Sequence, residues 1–192
     1  FLIKKDFNES VEIFNNFFLN KNQRVININN GENLYLKAKT KSNKLLNEEE
    51  IVDARFKNEE IIDIYLNDRN EIEKIPKINK SLKKFLTNTN LIIYSPGTQF
   101  SSLYPSYLTS ELYSTIKKNK KALKILITNI LKDNDFYNYN SNDLINFFFH
   151  YFQKYQKKKI DKNSLVTHFL INTNSMEDDD YLYFNKNSRK IK

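Results

Sequence analysis

Six residues that can hold an anion fall within one short stretch of this chain. Ser95, Gly97, Thr98, Gln99, Ser101 and Ser102 belong to the run LIIYSPGTQFSS over residues 91–102, and LYPSYLTSELYSTIKKN follows directly. An apolar run, a turn of small and hydroxyl residues, and a helix start together make a phosphate-binding turn. The first backbone N–H groups of a helix lack intrahelical partners, and the helix dipole adds partial positive charge there. Gly97 is one of only two glycines in the chain, and a glycine permits close backbone approach to a ligand or a positive φ. On this reading the amides of residues 98–102 and the hydroxyls of Thr98, Ser101 and Ser102 hold a diphosphate. A plainer reading stands beside it, in which a serine caps a helix and Gly97 only shapes the turn. The turn contains neither the Gly-Lys-Ser/Thr phosphate loop nor the Gly-x-Gly-x-x-Gly dinucleotide fingerprint.

Other chemistry-bearing residues are sparser. Asp133 and Asp135 follow an apolar run that ends near Asn129, which places them where they could bind Mg²⁺ or orient a hydroxyl group. The acidic run at residues 178–180 could also take Mg²⁺, but adjacent acids more often form a solvated surface. His150 sits among aromatic residues and His168 inside an apolar run; their separation has no metal-ligand spacing, and packing is the expected role of each. Cysteine is absent, which removes disulfides, thiolate metal sites and a cysteine nucleophile. No catalytic residue can be named from sequence.

The elements that must position the turn follow from hydrophobic periodicity. Val11, Phe14, Phe17 and Phe18 predict a helix over residues 9–20, capped at Asn8. Residues 24–28 and 33–38 alternate around Asn30-Gly31, a hairpin signal. Residues 60–66 read as a strand, and Pro76 as the start of a helix reaching residue 86. From residue 91 the rhythm becomes strand, helix, strand, helix, strand. The strands lie at 91–94, 124–128 and 165–171, the helices at 103–118 and 143–156. The apolar run 91–94 predicts a strand buried on both faces.

This alternation predicts an α/β fold, a mostly parallel sheet with helices on both faces, plus the hairpin. Right-handed crossovers then bring loops 95–102, 129–140 and 172–180 to the carboxyl edge of the sheet, where ligands of open α/β sheets bind. A single domain over residues 1–192 is expected, with 172–192 an irregular tail and a short edge strand at 181–184 within it.

The bulk composition sets the remaining bounds. Hydrophobic residues make up 40% and aromatic residues 14% of the 192, enough for a folded core. The formal charge of +8 would suit a nucleic acid or another anionic surface. Acids are interspersed among the lysines, however, and arginine, the residue best suited to bidentate phosphate recognition, is scarce. The dense basic runs at 117–124 and 154–162 are expected at helix C-termini, where cations complement the dipole. A nucleic-acid or anionic-surface module is therefore the second reading, and a nucleotide-linked small molecule the expected partner. No apolar run reaches the ~20 residues that span a bilayer, so no membrane partner is expected.

Residues 91–131, read as LIIYSPGTQFSSLYPSYL, then ELYSTIKKN and ALKILITNIL, resemble the 2-phospho-L-lactate transferase (CofD)/YvcK family. Its members carry an LIxxGPGSxxTSxxPxLL loop and helix, then a strand ending in Asn. Ser95-Pro96-Gly97-Thr98 falls on the Gly-Pro-Gly-Ser core, Ser101-Ser102 on the Thr-Ser, Pro105 on the later proline and Asn129 on the asparagine. RVININNGENLYLKA is similar, more loosely, to the family's RVLPATxxxVxLxA segment. The resemblance implies a Rossmann-like fold, with this chain as the C-terminal two-thirds and the N-terminal glycine-rich part missing. It implies a nucleoside-diphosphate-type ligand at the Ser95 to Ser102 loop, with Asn129 orienting the ligand. That ligand would be a UDP-sugar for a YvcK-like regulator, or a guanosine-linked phospholactate donor for a CofD-like transferase. A cytoplasmic location and a homo-oligomer accompany this expectation.

Overall fold

The computed structural model describes residues 6–53, 55, 58–130 and 133–171. In chain order the elements are α1 (Phe7–Phe18), β1 (Tyr35–Thr40), β2 (Leu45–Asn47), α2 (Glu48–Val52), β3 (Ile61–Asn67), α3 (Lys80–Asn88), β4 (Leu91–Tyr94), α4 (Tyr104–Tyr107), α5 (Leu112–Lys118), β5 (Leu123–Ile127), α6 (Ser141–Gln153), α7 (Lys162–Leu165) and β6 (His168–Leu170). They build an antiparallel sheet ordered β2-β1-β3 and a parallel sheet ordered β4-β5-β6. The alternation's α/β fold and the Rossmann-like architecture implied by the family resemblance are both present, but the helices expected on both faces cover only one face of the parallel sheet among the described residues. The tail at 172–192, with the acids at 178–180 and the strand expected at 181–184, lies outside the described residues.

The hairpin forms one segment later than the Asn30-Gly31 signal suggests. Asn29 Oδ1 accepts from the Gly31 N–H at 2.9 Å and bends the chain there, with Gly31 at φ 76°. Residues 24–28 form no strand. Asn15 on α1 takes both backbone groups of Val25, at 2.8 and 2.9 Å, and the Asn79 N–H bonds the Ile28 carbonyl at 2.9 Å. The hairpin instead joins β1 to β2, through a turn with Asn43 at φ 63°.

The start of α1 also differs from expectation, since Asp6 rather than Asn8 caps it, accepting from the Glu9 N–H at 3.0 Å. Pro76 does not open a helix. It is buried in an extended stretch where its carbonyl accepts from the Ser110 N–H at 2.8 Å, and α3 begins only after the Asn79 cap. The same contact breaks the helix expected over 103–118. Ser110 is drawn to Pro76, Glu111 takes φ 61°, and α4 and α5 result. Leu165, expected in the last strand, ends α7 instead.

Aromatic packing holds the loops against the parallel sheet. Asn140 and Asp143 form a reciprocal capping box that starts α6. Phe148, Tyr151 and Phe152 on that helix are fully buried. The Tyr94 ring on β4 meets Phe148 edge-on at 4.8 Å, and Tyr107 stacks on Phe152 at 4.7 Å. Lys117 and Lys118 do sit in the last turn of α5, but Lys124 departs from the solvated pattern: it is buried, and its Nζ donates to the Ser164 carbonyl at 2.7 Å.

One expectation about the parallel sheet fails. Ile92, Tyr94 and Leu126 are buried on its packed face, whereas Leu91, Ile93, Leu123 and Leu170 are exposed. The strand 91–94 is thus buried on one face only among the described residues.

Candidate functional site

The loops after β4 and β5 meet at the carboxyl edge of the parallel sheet, as their crossovers require. Their contact centres on Asn129. Its Oδ1 accepts from the Gly97 N–H and from Gln99 Nε2, both at 3.1 Å, while its Nδ2 donates to the Gly97 carbonyl at 2.9 Å and to Asp133 Oδ2 at 2.5 Å. An asparagine amide offers two donors and two acceptor lone pairs. All four are engaged, so Asn129 braces the turn and has no group left to orient a ligand directly. Gln99 is itself buried and also donates to the Gly97 carbonyl, at 2.7 Å.

The second contact joins Ser101 to Asp135. Residues Gln99–Leu103 form a wide helical turn, closed by the Leu103 N–H to the Thr98 carbonyl at 3.1 Å. Such wide turns recur at functional sites. Within it, Ser101 donates its N–H and its hydroxyl to Asp135 Oδ2, at 2.9 and 3.0 Å. Asp135 is 7% exposed, and its Oδ1 is buried with no hydrogen-bond partner among the described residues. Burial raises its pKa, the bonds from Ser101 and the nearby Phe100 amide oppose that, and the neighbouring charge of Asp133 pushes it further up. The burial has an aromatic cause. Phe136 follows it in sequence and packs 5.6 Å from the Phe100 ring, which is fully enclosed and also meets Phe147 and Tyr104.

These contacts redistribute the residues singled out from sequence. The Ser101 amide, expected to face an anion, is turned inward onto a carboxylate. Thr98 Oγ1 donates to Ser102 Oγ at 2.7 Å, leaving the exposed Ser102 hydroxyl at the surface of the turn. Ser95 is exposed and bonds no other described residue. Gly97 has no positive φ, and a Cβ there would lie 3.4 Å from the end of the Leu103 side chain. Neither conformation nor close packing therefore demands glycine at this position.

The histidines lie away from the rim, and neither is packed as expected. His150 is exposed on α6 with Nε2 3.8 Å from Asp63, while His168 on β6 contacts the Thr167 hydroxyl at 3.0 Å. Burial pushes the phenols of Tyr94 and Tyr151 far above their usual range, which removes them from proton transfer near neutral pH. No cluster of three or more metal-ligating side chains occurs among the described residues. Sequence reasoning missed the charged group of Asp63, His150 and Lys154. Its members lie up to 91 positions apart, on β3 and around the end of α6, where no local pattern reports the pairing.

A parallel α/β unit with two braced loops converging at its carboxyl edge is a Rossmann-like architecture, and that edge is where ligands of open α/β sheets generally bind. The family model described as 2-phospho-L-lactate transferase CofD matches residues 2–192, and the chain belongs to that family. A putative gluconeogenesis factor of Aquifex aeolicus (strain VF5) is 29% identical over 101 residues, which cover 52% of this chain and 29% of that protein. Two crystal structures of a UPF0052-family protein of Bacillus halodurans superpose with TM-scores of 0.71 and 0.70 at 17% identity. Each superposition covers 95% of this chain and 54% of the other. The chain thus spans about half of the solved neighbours and matches under a third of the curated relative. No helix among the described residues is long and apolar enough to cross a membrane.

Proposed function

We propose that the rim binds the diphosphate of a nucleotide-linked small molecule together with a divalent cation, which sits between the ligand and the Asp133–Asp135 pair. Asp135 carries this reading. A buried carboxylate with one oxygen saturated by Ser101 and the other unpartnered is costly unless a cation or a proton answers it. Asp133 is close enough to raise its pKa, so the two carboxylates form one acidic site. Mg²⁺ commonly takes one or two carboxylates and fills its remaining positions with phosphate oxygens and water. The donor set fits that habit, and the cation would neutralise charge on the diphosphate. The exposed hydroxyls of Ser95 and Ser102 flank the approach.

Family membership supports the ligand class, and the relative named as a gluconeogenesis factor supports the YvcK-like reading, under which the ligand would be a UDP-sugar. No histidine lies at the rim as a general base, so any transfer chemistry there rests on positioning and charge stabilisation. A cytoplasmic location is proposed with this ligand class, since nucleotide-linked metabolites of this kind are cytoplasmic compounds.

Thermal unfolding with UDP-glucose or GDP, with and without Mg²⁺, tests the proposal. A ligand at a hundredfold its Kd adds about 2.7 kcal/mol, and stabilisation is expected only when nucleotide and Mg²⁺ are both present. Stabilisation that is indifferent to Mg²⁺ and to Asp133→Asn overturns the reading. DNA binding that falls steeply with salt and ignores both aspartates would assign the +8 charge to an anionic-surface role instead. Turnover with a deazaflavin acceptor would mark a transferase; tight UDP-sugar binding without turnover would mark a regulator.

A further inference from the structure

We propose that the amino edge of the parallel sheet, opposite the rim, is a docking surface for the phosphate backbone of double-stranded nucleic acid. The inference is independent of the ligand reading. It rests on the two basic runs, at 117–124 and 154–162, which the rim leaves unused.

The fold brings these runs together. The first covers the end of α5 and the turn into β5, the second the connection from α6 through the start of α7 toward β6. β5 and β6 are parallel neighbours, so both stretches arrive at the same end of the sheet. They touch there: the Tyr113 hydroxyl on α5 accepts from the Asp161 N–H at 2.8 Å. Lys124 and Lys154 are spent inside the fold, on the Ser164 carbonyl and on Asp63. Lys117, Lys118, Lys120 and Lys121 are exposed in the first stretch, and Lys157, Lys158, Lys159 and Lys162 in the second. None of these eight forms an ion pair among the described residues. Their expected task, complementing helix C-termini, falls to Lys117, Lys118 and Lys162 alone. Asp161 is the one acid in either stretch, and its carboxylate caps α7 by accepting from the Asn163 N–H at 3.1 Å.

Both stretches have a fixed shape. Asn119 is buried and donates to the Leu86 and Thr89 carbonyls at 2.9 and 2.7 Å, while its Oδ1 accepts from the Lys121 and Ala122 N–H groups at 3.2 and 3.1 Å. Gln153 does the same for the second stretch. Its Nε2 donates to the Gln156 and Lys158 carbonyls at 3.2 and 3.1 Å, and its Oε1 accepts from the Ile160 N–H at 2.9 Å. The lysines therefore stand on an ordered backbone, which lowers the ordering cost of binding.

The surroundings select the partner. Ala122 and Ile160 are buried, and the Tyr155 phenol is bonded to Glu73. A protein partner would need an aromatic or aliphatic anchor, and an interfacial membrane contact an apolar face; these stretches expose neither. Single strands stack their bases on exposed aromatic rings, which are also lacking here. Neither stretch contains an arginine to read base edges. Sequence-independent contact with a duplex backbone, which carries one charge per ~1.7 Å of axis, needs only the lysines.

Fluorescence anisotropy of the 192-residue chain with a labelled DNA duplex of about 20 bp tests this. Two unrelated sequences are expected to bind within about threefold of each other, with log K falling against log[salt] at a slope of about −3.5 or steeper. The variant Lys120→Glu, Lys121→Glu, Lys158→Glu, Lys159→Glu should weaken binding at least about a hundredfold at low salt. Its Tm should stay within about 2 °C, since all four side chains are exposed. A control carrying Lys21→Glu, Lys39→Glu, Lys77→Glu and Lys80→Glu makes the same change in net charge elsewhere on the surface, and should keep affinity within about fivefold. Equal losses in the two variants, no salt-dependent binding by the wild type, or tighter binding to polyglutamate or to phosphatidylserine vesicles would each overturn the proposal. So would competition by UDP-glucose, which would place the duplex at the rim. Asp133→Asn is expected to leave duplex affinity unchanged, so either reading can fail while the other stands.

Discussion

Asn129 holds both the N–H and the carbonyl of Gly97, at 3.1 and 2.9 Å, in the way a neighbouring strand would. β4 and β5 are thereby stitched together three residues beyond their last backbone pair, Tyr94 with Leu126. Asn129→Ala removes this stitch and also frees Gln99 and Asp133. Leaving such groups unpaired costs about 1–3 kcal/mol. The expected outcome in urea unfolding is a loss of that size with an unchanged m-value. A neutral result would show that the rim loops hold their geometry without the asparagine.

Asp135 gives the site a pH signature. Burial raises its folded-state pKa above the unfolded value, near 3.9 for a free aspartate. The sign follows from linkage: its contribution to stability is fully present below about pH 4 and is lost as pH rises through the raised folded value. Asp135→Asn does not titrate and can still accept from Ser101. The variant is therefore expected to gain on the wild type as pH rises from about 4 to 7, read by denaturation at several pH values. Parallel stability curves would mean that Asp135 ionises as freely in the folded state as in the unfolded one.

Asp63 has the opposite sign. Burial pushes its carboxyl up, but the nearby His150 ring and the hydrogen bonds and charge of Lys154 outweigh this and leave it below the usual range. Lys154 Nζ lies 2.7 and 2.6 Å from its two oxygens and 2.6 Å from the Ile64 carbonyl, tying the end of α6 to β3. The stabilisation is present above about pH 4 and lost as pH falls through the depressed value. Lys154→Met should cost about 1 kcal/mol at neutral pH, because solvent screens the half-exposed carboxylate. The loss should shrink in acid, as measured by unfolding at pH 3 and pH 7, with the Lys154 bond to the Ile64 carbonyl remaining.

Much of this architecture was legible in the chain because its signals are local. The apolar runs at residues 91–94 and 124–128 and the aromatic spacing of α6 report burial directly, and both strands and that helix formed close to where their periodicity put them. The meeting of the 95–102 and 129–140 loops followed from crossover handedness. Failures arose where distant partners decided the outcome. Asn15 takes the backbone of Val25, Pro76 takes Ser110, and Asp135 takes the Ser101 amide. Each contact redirects a segment whose local pattern suggested a strand, an unbroken helix or an open anion nest. A side chain that satisfies backbone groups across tens of residues leaves no period in the sequence. The one-sided burial of β4 was hidden for a related reason, since an apolar run looks the same whether one face or both are covered.

Calorimetric titration of UDP-glucose into the 192-residue chain, in saturating Mg²⁺ and again in EDTA, tests the metal-bridged rim most directly. The expected result is binding with Mg²⁺, no measurable heat in EDTA, and at least about tenfold weaker binding, or 1.4 kcal/mol, for Asp135→Asn. Equal affinity in EDTA and in the variant would contradict it, leaving Asp135 as nothing more than the anchor of Ser101.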